Sequence, residues 1–122
     1  MAELPEGRTV KFSDKEFTFS VASRGVDLMK GLGGITDLDP YDGMLFDFGT
    51  NFNIRMWSKG LVFPVEVAFL DSDGVVMQIG KLDPSEERSF DLASDSPGYY
   101  ALEVPVGFFE NNGIAIGSKF EL

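Results

Sequence analysis

The chain contains no cysteine and no histidine. The first absence excludes disulfides, thiolate metal sites and a cysteine nucleophile. The second removes imidazole metal ligation and every mechanism in which histidine activates serine or cysteine. Any catalysis would have to rest on carboxylates, lysine, tyrosine, hydroxyls or backbone groups. The remaining possible ligands show no ordered metal-binding spacing, so neither a tight transition-metal site nor any cofactor is expected. Basic residues are scarce, ten against twenty acidic ones, for a net charge of −10. Such a surface repels phosphate backbones and anionic lipid, so neither nucleic acid nor a membrane is expected as a partner. No apolar run approaches the ~20 residues of a membrane span. The first ten residues, MAELPEGRTV, lack the charged-then-apolar pattern of a signal peptide. As written, the chain reads as cytoplasmic; a secreted or periplasmic location would require a leader to have been removed.

What the chain does have is phenylalanine (12) and glycine (14), a combination that favours strands joined by tight turns. At 122 residues it reads as a single domain spanning 1–122, large enough to hold a core without staples, with residues 1–8 as a flexible N-terminus. Residues 9–12 and 15–22 form a hairpin across Ser13-Asp14, because Phe17, Phe19 and Val21 alternate with Glu16, Thr18 and Ser20. Ser23 is a candidate N-cap for a helix of about two turns over residues 24–30, carrying Val26 and Met29. Gly31, Gly33 and Gly34 end it. These glycines follow a helix and lack the Lys-Ser/Thr pair of a phosphate-binding loop, so they read as a C-cap and turn. Further strands are expected at 44–48, 54–57, 61–70, 75–79 and 99–106, with turns at 49–53 and at Asp71-Ser72-Asp73-Gly74. The last of these lacks the ligand pattern of a calcium loop. Residues 83–98 form a long polar connection pinned by Phe90 and Leu92. Residues 107–111 suggest a single helical turn, and 114–116 and 119–122 short strand pieces. The fold class is therefore mostly β: a compact β-sandwich or distorted barrel with one short helix near residues 24–30.

The stretch 55–70, RMWSKGLVFPVEVAFL, holds the one tryptophan and the longest apolar run, broken by Glu66. Phe63, Val65, Val67 and Phe69 share one face of it, which is expected to be core together with Phe46 and Leu102. Glu66 lies on the other face, and Glu103 is similarly isolated on a face with Tyr99, Ala101 and Pro105. A carboxylate among apolar residues costs several kcal/mol if it is buried and unpaired, so something must answer it. The answer is either structural, through backbone donors or Arg55, or functional. In the functional case the carboxylates grip a ligand while Trp57 or Tyr99 offers a stacking face, or the two carboxylates work as a hydrolytic pair. Trp57 is itself open to two readings, a core residue or the wall of a site.

The order of several short segments carries a resemblance. Lys30-Gly31-Leu32-Gly33-Gly34, Gly43-Met44-Leu45-Phe46, Trp57-Ser58-Lys59-Gly60 leading into Pro64-Val65-Glu66-Val67-Ala68-Phe69, Asp73-Gly74, and Ala101-Leu102-Glu103-Val104-Pro105-Val106-Gly107 follow one another. The series resembles domain-of-unknown-function family 192, whose pattern has Gly-Leu-Met, Gly-Met-Leu-Phe, Trp-Met-Lys-Asn-Thr, Pro-Leu-Asp-Ile-Ala-Phe and Ala-Leu-Glu-Leu-Pro-Ala-Gly. The resemblance covers residue 30 to the C-terminus. It implies a small β-sandwich or barrel-like domain with little helix, and no established reaction. The chain departs from the pattern at Gly33, which replaces the Met, and at Ser58, Gly60 and Leu61, where the pattern has Met, Asn and Thr. The Asn and Thr are the polar groups best placed to touch a ligand, so their loss makes a shared activity less expected here.

The functional expectation is a non-catalytic binding or accessory domain. Arg55, Trp57, Lys59, Glu66, Tyr99 and Glu103 would frame a shallow site for a small polar ligand, with carbohydrate as the candidate class. The alternatives are a carboxylate-dependent hydrolase using Glu66 and Glu103, and a domain acting only through contacts with partners.

Overall fold

The computed structural model describes residues 3–85 and 92–122. In chain order the elements are β1 (Gly7–Phe12), β2 (Lys15–Ala22), α1 (Gly25–Lys30), β3 (Gly43–Phe52), β4 (Arg55–Met56), β5 (Val65–Leu70), β6 (Val76–Leu82), β7 (Leu92–Ala93), β8 (Gly98–Pro105) and α2 (Phe108–Asn111). Six of the strands form one sheet in the order β1-β2-β3-β8-β5-β6, and β4 and β7 form a separate two-stranded ribbon. The fold is mostly β, as read from the sequence. Among the described residues the larger sheet does not close into a barrel, and a second short helix, α2, joins the expected one.

All but one of the neighbouring strand pairs are antiparallel; β2 and β3 are parallel. A parallel pair needs a crossover, and residues 23–42 supply it. Leu28, Leu32, Ile35 and Leu38 of that crossover pack onto one face of the sheet, beside Met44, Phe46, Val65, Val67, Phe69 and Ala101. The C-terminal segment covers the opposite face, where Phe109, Ile114 and Phe120 meet Val10, Phe19, Leu45, Ala68, Leu102 and Val104. The central strands β8 and β5 are therefore buried on both faces. This explains why their sequences read as continuous apolar runs rather than clean alternations. Phe63, Val65, Val67 and Phe69 do share a core face with Phe46. Leu102 does not join them. It pairs with Ala68, and its side chain belongs to the other face.

Several boundaries moved for local reasons. Ser23 does not cap α1; the capping position is Arg24, in extended backbone (φ −102°, ψ 153°) and without a side-chain cap bond. The expected strand over 61–70 begins only at Val65. Before it, Leu61 N–H closes a turn onto the Ser58 carbonyl (3.0 Å), and Gly60 sits at φ +82°. Residues 49–53, expected to turn, instead largely continue β3 to Phe52, with a break in register between Asp47 and Phe52. Residues 114–116 form no strand; Ser118 N–H bonds back to the Ala115 carbonyl (3.0 Å), and only isolated bridges at Lys119 and Glu121 remain. At the other end of the chain, the Glu6 carbonyl accepts the Val21 N–H (3.0 Å) and Leu4 packs against the core. The 71–74 segment is a turn, with Asp71 Oδ1 accepting the N–H groups of Asp73 and Val75. Phe90, expected to pin the long connection, lies outside the described residues; Leu92, its expected partner, is half-buried in β7.

Candidate functional site

Glu103 lies in β8, the strand between β3 and β5. Its register partners are Met44 on one side and Val67 on the other, so its side chain enters the sheet face that the crossover covers. The turn that follows α1 closes over it. Gly31, the C-cap, sits at φ +52° and donates its N–H to the Asp27 carbonyl (2.9 Å). A Cβ there would lie 3.0 Å from the Phe46 ring and 3.2 Å from Glu103 Oε1. Glycine thus meets two needs at once, a positive φ and the close passage of backbone over a carboxyl group.

Glu103 is 3 % exposed. The Leu32 backbone N–H bonds to its carboxyl, while Oε1 has no hydrogen-bond partner among the described residues. Burial pushes its pKa up from 4.5 to about 7, against the downward pull of the Leu32 N–H. A buried carboxyl oxygen without a donor costs free energy that folding alone does not repay.

The carboxyl faces a cleft of about 580 Å³, within the range of ~300–1,000 Å³ typical of small-molecule sites. Its apolar walls come from Leu28 and Met29 of α1, Phe46 and Phe48 of β3, Met56 of β4, and Leu61. Phe48 and Phe46 lie nearly parallel, with centroids 6.1 Å apart, and Phe52 meets Phe48 edge-on at 4.9 Å. The register break in β3 brings Phe52 to the cleft, where it is 40 % exposed; Met29 is 67 % exposed across from it. Cations gather at the same opening: Lys30, Arg55 and Lys59, three of the ten basic residues in the chain, line it. Among the described residues, Glu103 is the only acidic group in the lining. Lys59 Nζ stands 5.7 Å from the centre of the Trp57 ring, a cation–π arrangement. The Gly34 N–H bonds to the Gly60 carbonyl (2.8 Å), so the turns carrying Lys30 and Lys59 are tied together. β4 is held by β7 and by a reciprocal bond between Ile54 and Ser94, which fixes Trp57 just beyond it.

Of the residues singled out in the sequence, Arg55, Trp57, Lys59 and Glu103 converge on this cleft. Glu66 and Tyr99 do not line it. Glu66 is opposite Val104, whereas Glu103 is opposite Val67. That one-residue offset puts the two carboxylates on opposite faces of the sheet. They cannot act as a coupled pair, and the pairing on which the hydrolase alternative rested is absent. Their surroundings also differ. Glu66 is the structural group, its Oε1 accepting the Gly107 N–H (3.0 Å) where β8 turns into α2, and Glu103 is the one left with an unanswered atom. Tyr99 packs against Tyr100, with ring centroids 4.7 Å apart. The sequence reading missed Lys30, Phe48 and Phe52. A lysine beside a glycine turn carries no signal of its own, Phe48 reads as one more core residue of the expected strand, and Phe52 depends on a β3 longer than its sequence suggests.

The fold and the order of these elements can be compared with known proteins. A profile of family DUF192, described as "Uncharacterized ACR", matches residues 8–122. The chain belongs to DUF192. A protein from Sinorhizobium meliloti proposed to be a transcription regulator has a similar structure, with a TM-score of 0.87, 26 % identity, and coverage of 99 % of this chain and 97 % of its own. A protein of unknown function from Novosphingobium aromaticivorans also matches, with a TM-score of 0.78, 27 % identity, and coverage of 93 % and 82 %. No functionally curated protein matches. Several of the positions that carried the DUF192 resemblance meet in space: Gly31, Leu32, Phe46, Trp57, Lys59 and Glu103 all line the cleft. The departures from the DUF192 pattern acquire a physical meaning there. Gly60, where the pattern has Asn, needs positive φ, a conformation both residues tolerate. Leu61, where the pattern has Thr, adds an apolar wall to the cleft.

Proposed function

We propose that this DUF192 protein is a small-molecule binding module whose ligand lies in the cleft over Glu103. The observation that carries the reading is Glu103 Oε1, a buried polar atom without a partner among the described residues, at a mainly apolar cavity of ligand size. A bound hydroxyl or amine would supply the missing bond. The walls narrow the earlier expectation: carbohydrate hydroxyls would be stranded against Leu28, Met29, Met56 and Leu61, so a ligand with an apolar body fits better. A single carboxyl with no second carboxylate beside it among the described residues favours binding over hydrolysis by a carboxylate pair. If the regulatory role proposed for the Sinorhizobium protein extends to this chain, ligand sensing accounts for it better than DNA contact, given a net charge of −10.

The test is amide chemical-shift mapping by NMR with n-octanol, a neutral molecule with an apolar body and one hydroxyl. The expected shifts cluster at residues 28–32, 46–48, 56–61 and 103, and the Trp57 indole resonance moves with them. Saturation without shifts in these segments, or no response up to the solubility limit, overturns the proposal.

A further inference from the structure

We infer that the cleft selects amphipathic acids: molecules with a hydrogen-bond donor at one end, an apolar or aromatic body, and an anionic group at the other. This rests on the binding role proposed above and names the ligand class for it. The cleft is chemically polarised. Its buried end offers Glu103 Oε1, 3 % exposed, without a partner among the described residues, and an acceptor in the ionised form. Its exposed end offers Lys30 and Lys59, on two turns held together by the Gly34–Gly60 hydrogen bond. Phe46, Phe48, Met56 and Trp57 line the same cleft. On a chain with twice as many acidic as basic residues, two exposed lysines held side by side single the opening out, among the described residues, as a place where an anion is attracted rather than repelled. A purely cationic ligand would meet Glu103 but would have to pass these ammonium groups. A fatty acid without a donor would satisfy the opening but leave Glu103 unanswered. A hydroxyaryl alkanoate answers both ends and places its ring among the aromatic side chains.

The experiment follows Trp57 fluorescence during titration with 3-(4-hydroxyphenyl)propionate, 3-phenylpropionate, the neutral 4-(3-hydroxypropyl)phenol and n-octanol. The inference expects the hydroxy acid to bind at least about tenfold more tightly than either the acid lacking the hydroxyl or the neutral diol. Lys59→Met and Lys30→Met should each weaken the hydroxy acid several-fold while leaving the diol unchanged. Raising the salt concentration should weaken the acid alone, because exposed charges are screened. Because Lys59 stands over Trp57, the Lys59→Met titration is repeated by calorimetry. If the diol equals the hydroxy acid, or the two lysine variants leave the acid's affinity unchanged, the ligand class is wrong although the cleft still binds. If 3-phenylpropionate equals the hydroxy acid, the donor end is wrong. If n-octanol and all three aryl probes fail alike, the binding role falls and this inference falls with it.

Discussion

Glu103→Gln removes a titratable group whose folded-state pKa is raised from 4.5 to about 7 by burial. Gln is nearly the same size, so the cleft wall is kept. The folded protein holds this proton more tightly than the unfolded chain does. The neutral form's contribution to stability is therefore complete below pH 4.5 and is lost as pH rises through about 7. At about 1.4 kcal/mol per pKa unit, the loss comes to about 3 kcal/mol. The other carboxylates, on which acid unfolding depends, are common to both proteins and cancel in the difference. We therefore expect the stability of Glu103→Gln relative to wild type, measured by urea unfolding from pH 4 to pH 9, to rise by about 3 kcal/mol between pH 4.5 and 7.5 and then to level off. A constant offset is also expected, since the Gln amide needs acceptors of its own. The diagnostic feature is the slope. A pH-independent difference, or one that falls as pH rises, would refute the claim that burial of Glu103 outweighs its one backbone hydrogen bond.

The remaining predictions are independent of that pKa. Gly31→Ala places a Cβ at φ +52°, 3.0 Å from Phe46, and should cost ~1–3 kcal/mol in urea unfolding while weakening ligand binding; a cost below about 0.5 kcal/mol would mean that the turn does not pass this close. Phe69→Ala empties a fully buried position and should cost ~3–5 kcal/mol, and a measured loss under about 1 kcal/mol would remove this face from the core. Glu66→Gln weakens one charge-assisted bond to the Gly107 N–H; it should cost ~1 kcal/mol and leave probe affinity unchanged, and a loss of binding would return Glu66 to the site. Calorimetry with zinc should show no micromolar one-to-one binding, because neither imidazole nor thiolate is present to hold it.

Much of the fold could be read from local pattern. The β1–β2 hairpin, α1 and β8 follow from alternation, glycine position and apolar runs, signals that lie within each segment. Register and crossover could not be read in the same way. Period two correctly grouped the side chains on β5 and on β8, but nothing in either strand states the offset between them. One residue of offset separates Glu66 from Glu103. Leu102 was assigned to the wrong face for the same reason. The cleft itself depends on residues 23–42 crossing over β8, a long-range event that Gly31 serves but does not announce. Arg55, Trp57, Lys59 and Glu103 were found because a lone tryptophan, nearby cations and an isolated carboxylate are unusual in apolar strands. Phe52 was missed because its position depends on a register break in β3; Phe48, inside the expected strand, carries no signal beyond that of a core residue.

The central claim is that a ligand answers Glu103 Oε1. Carboxyl-carbon NMR of the wild-type protein tests it directly, with Glu103→Gln and Glu66→Gln used for assignment, in the absence and presence of 3-(4-hydroxyphenyl)propionate. The account predicts that the Glu103 resonance titrates near pH 7 in the free protein, that the ligand shifts both the resonance and its midpoint, and that Glu66 is unaffected. A Glu103 resonance that does not respond to a ligand bound elsewhere on the protein would contradict it.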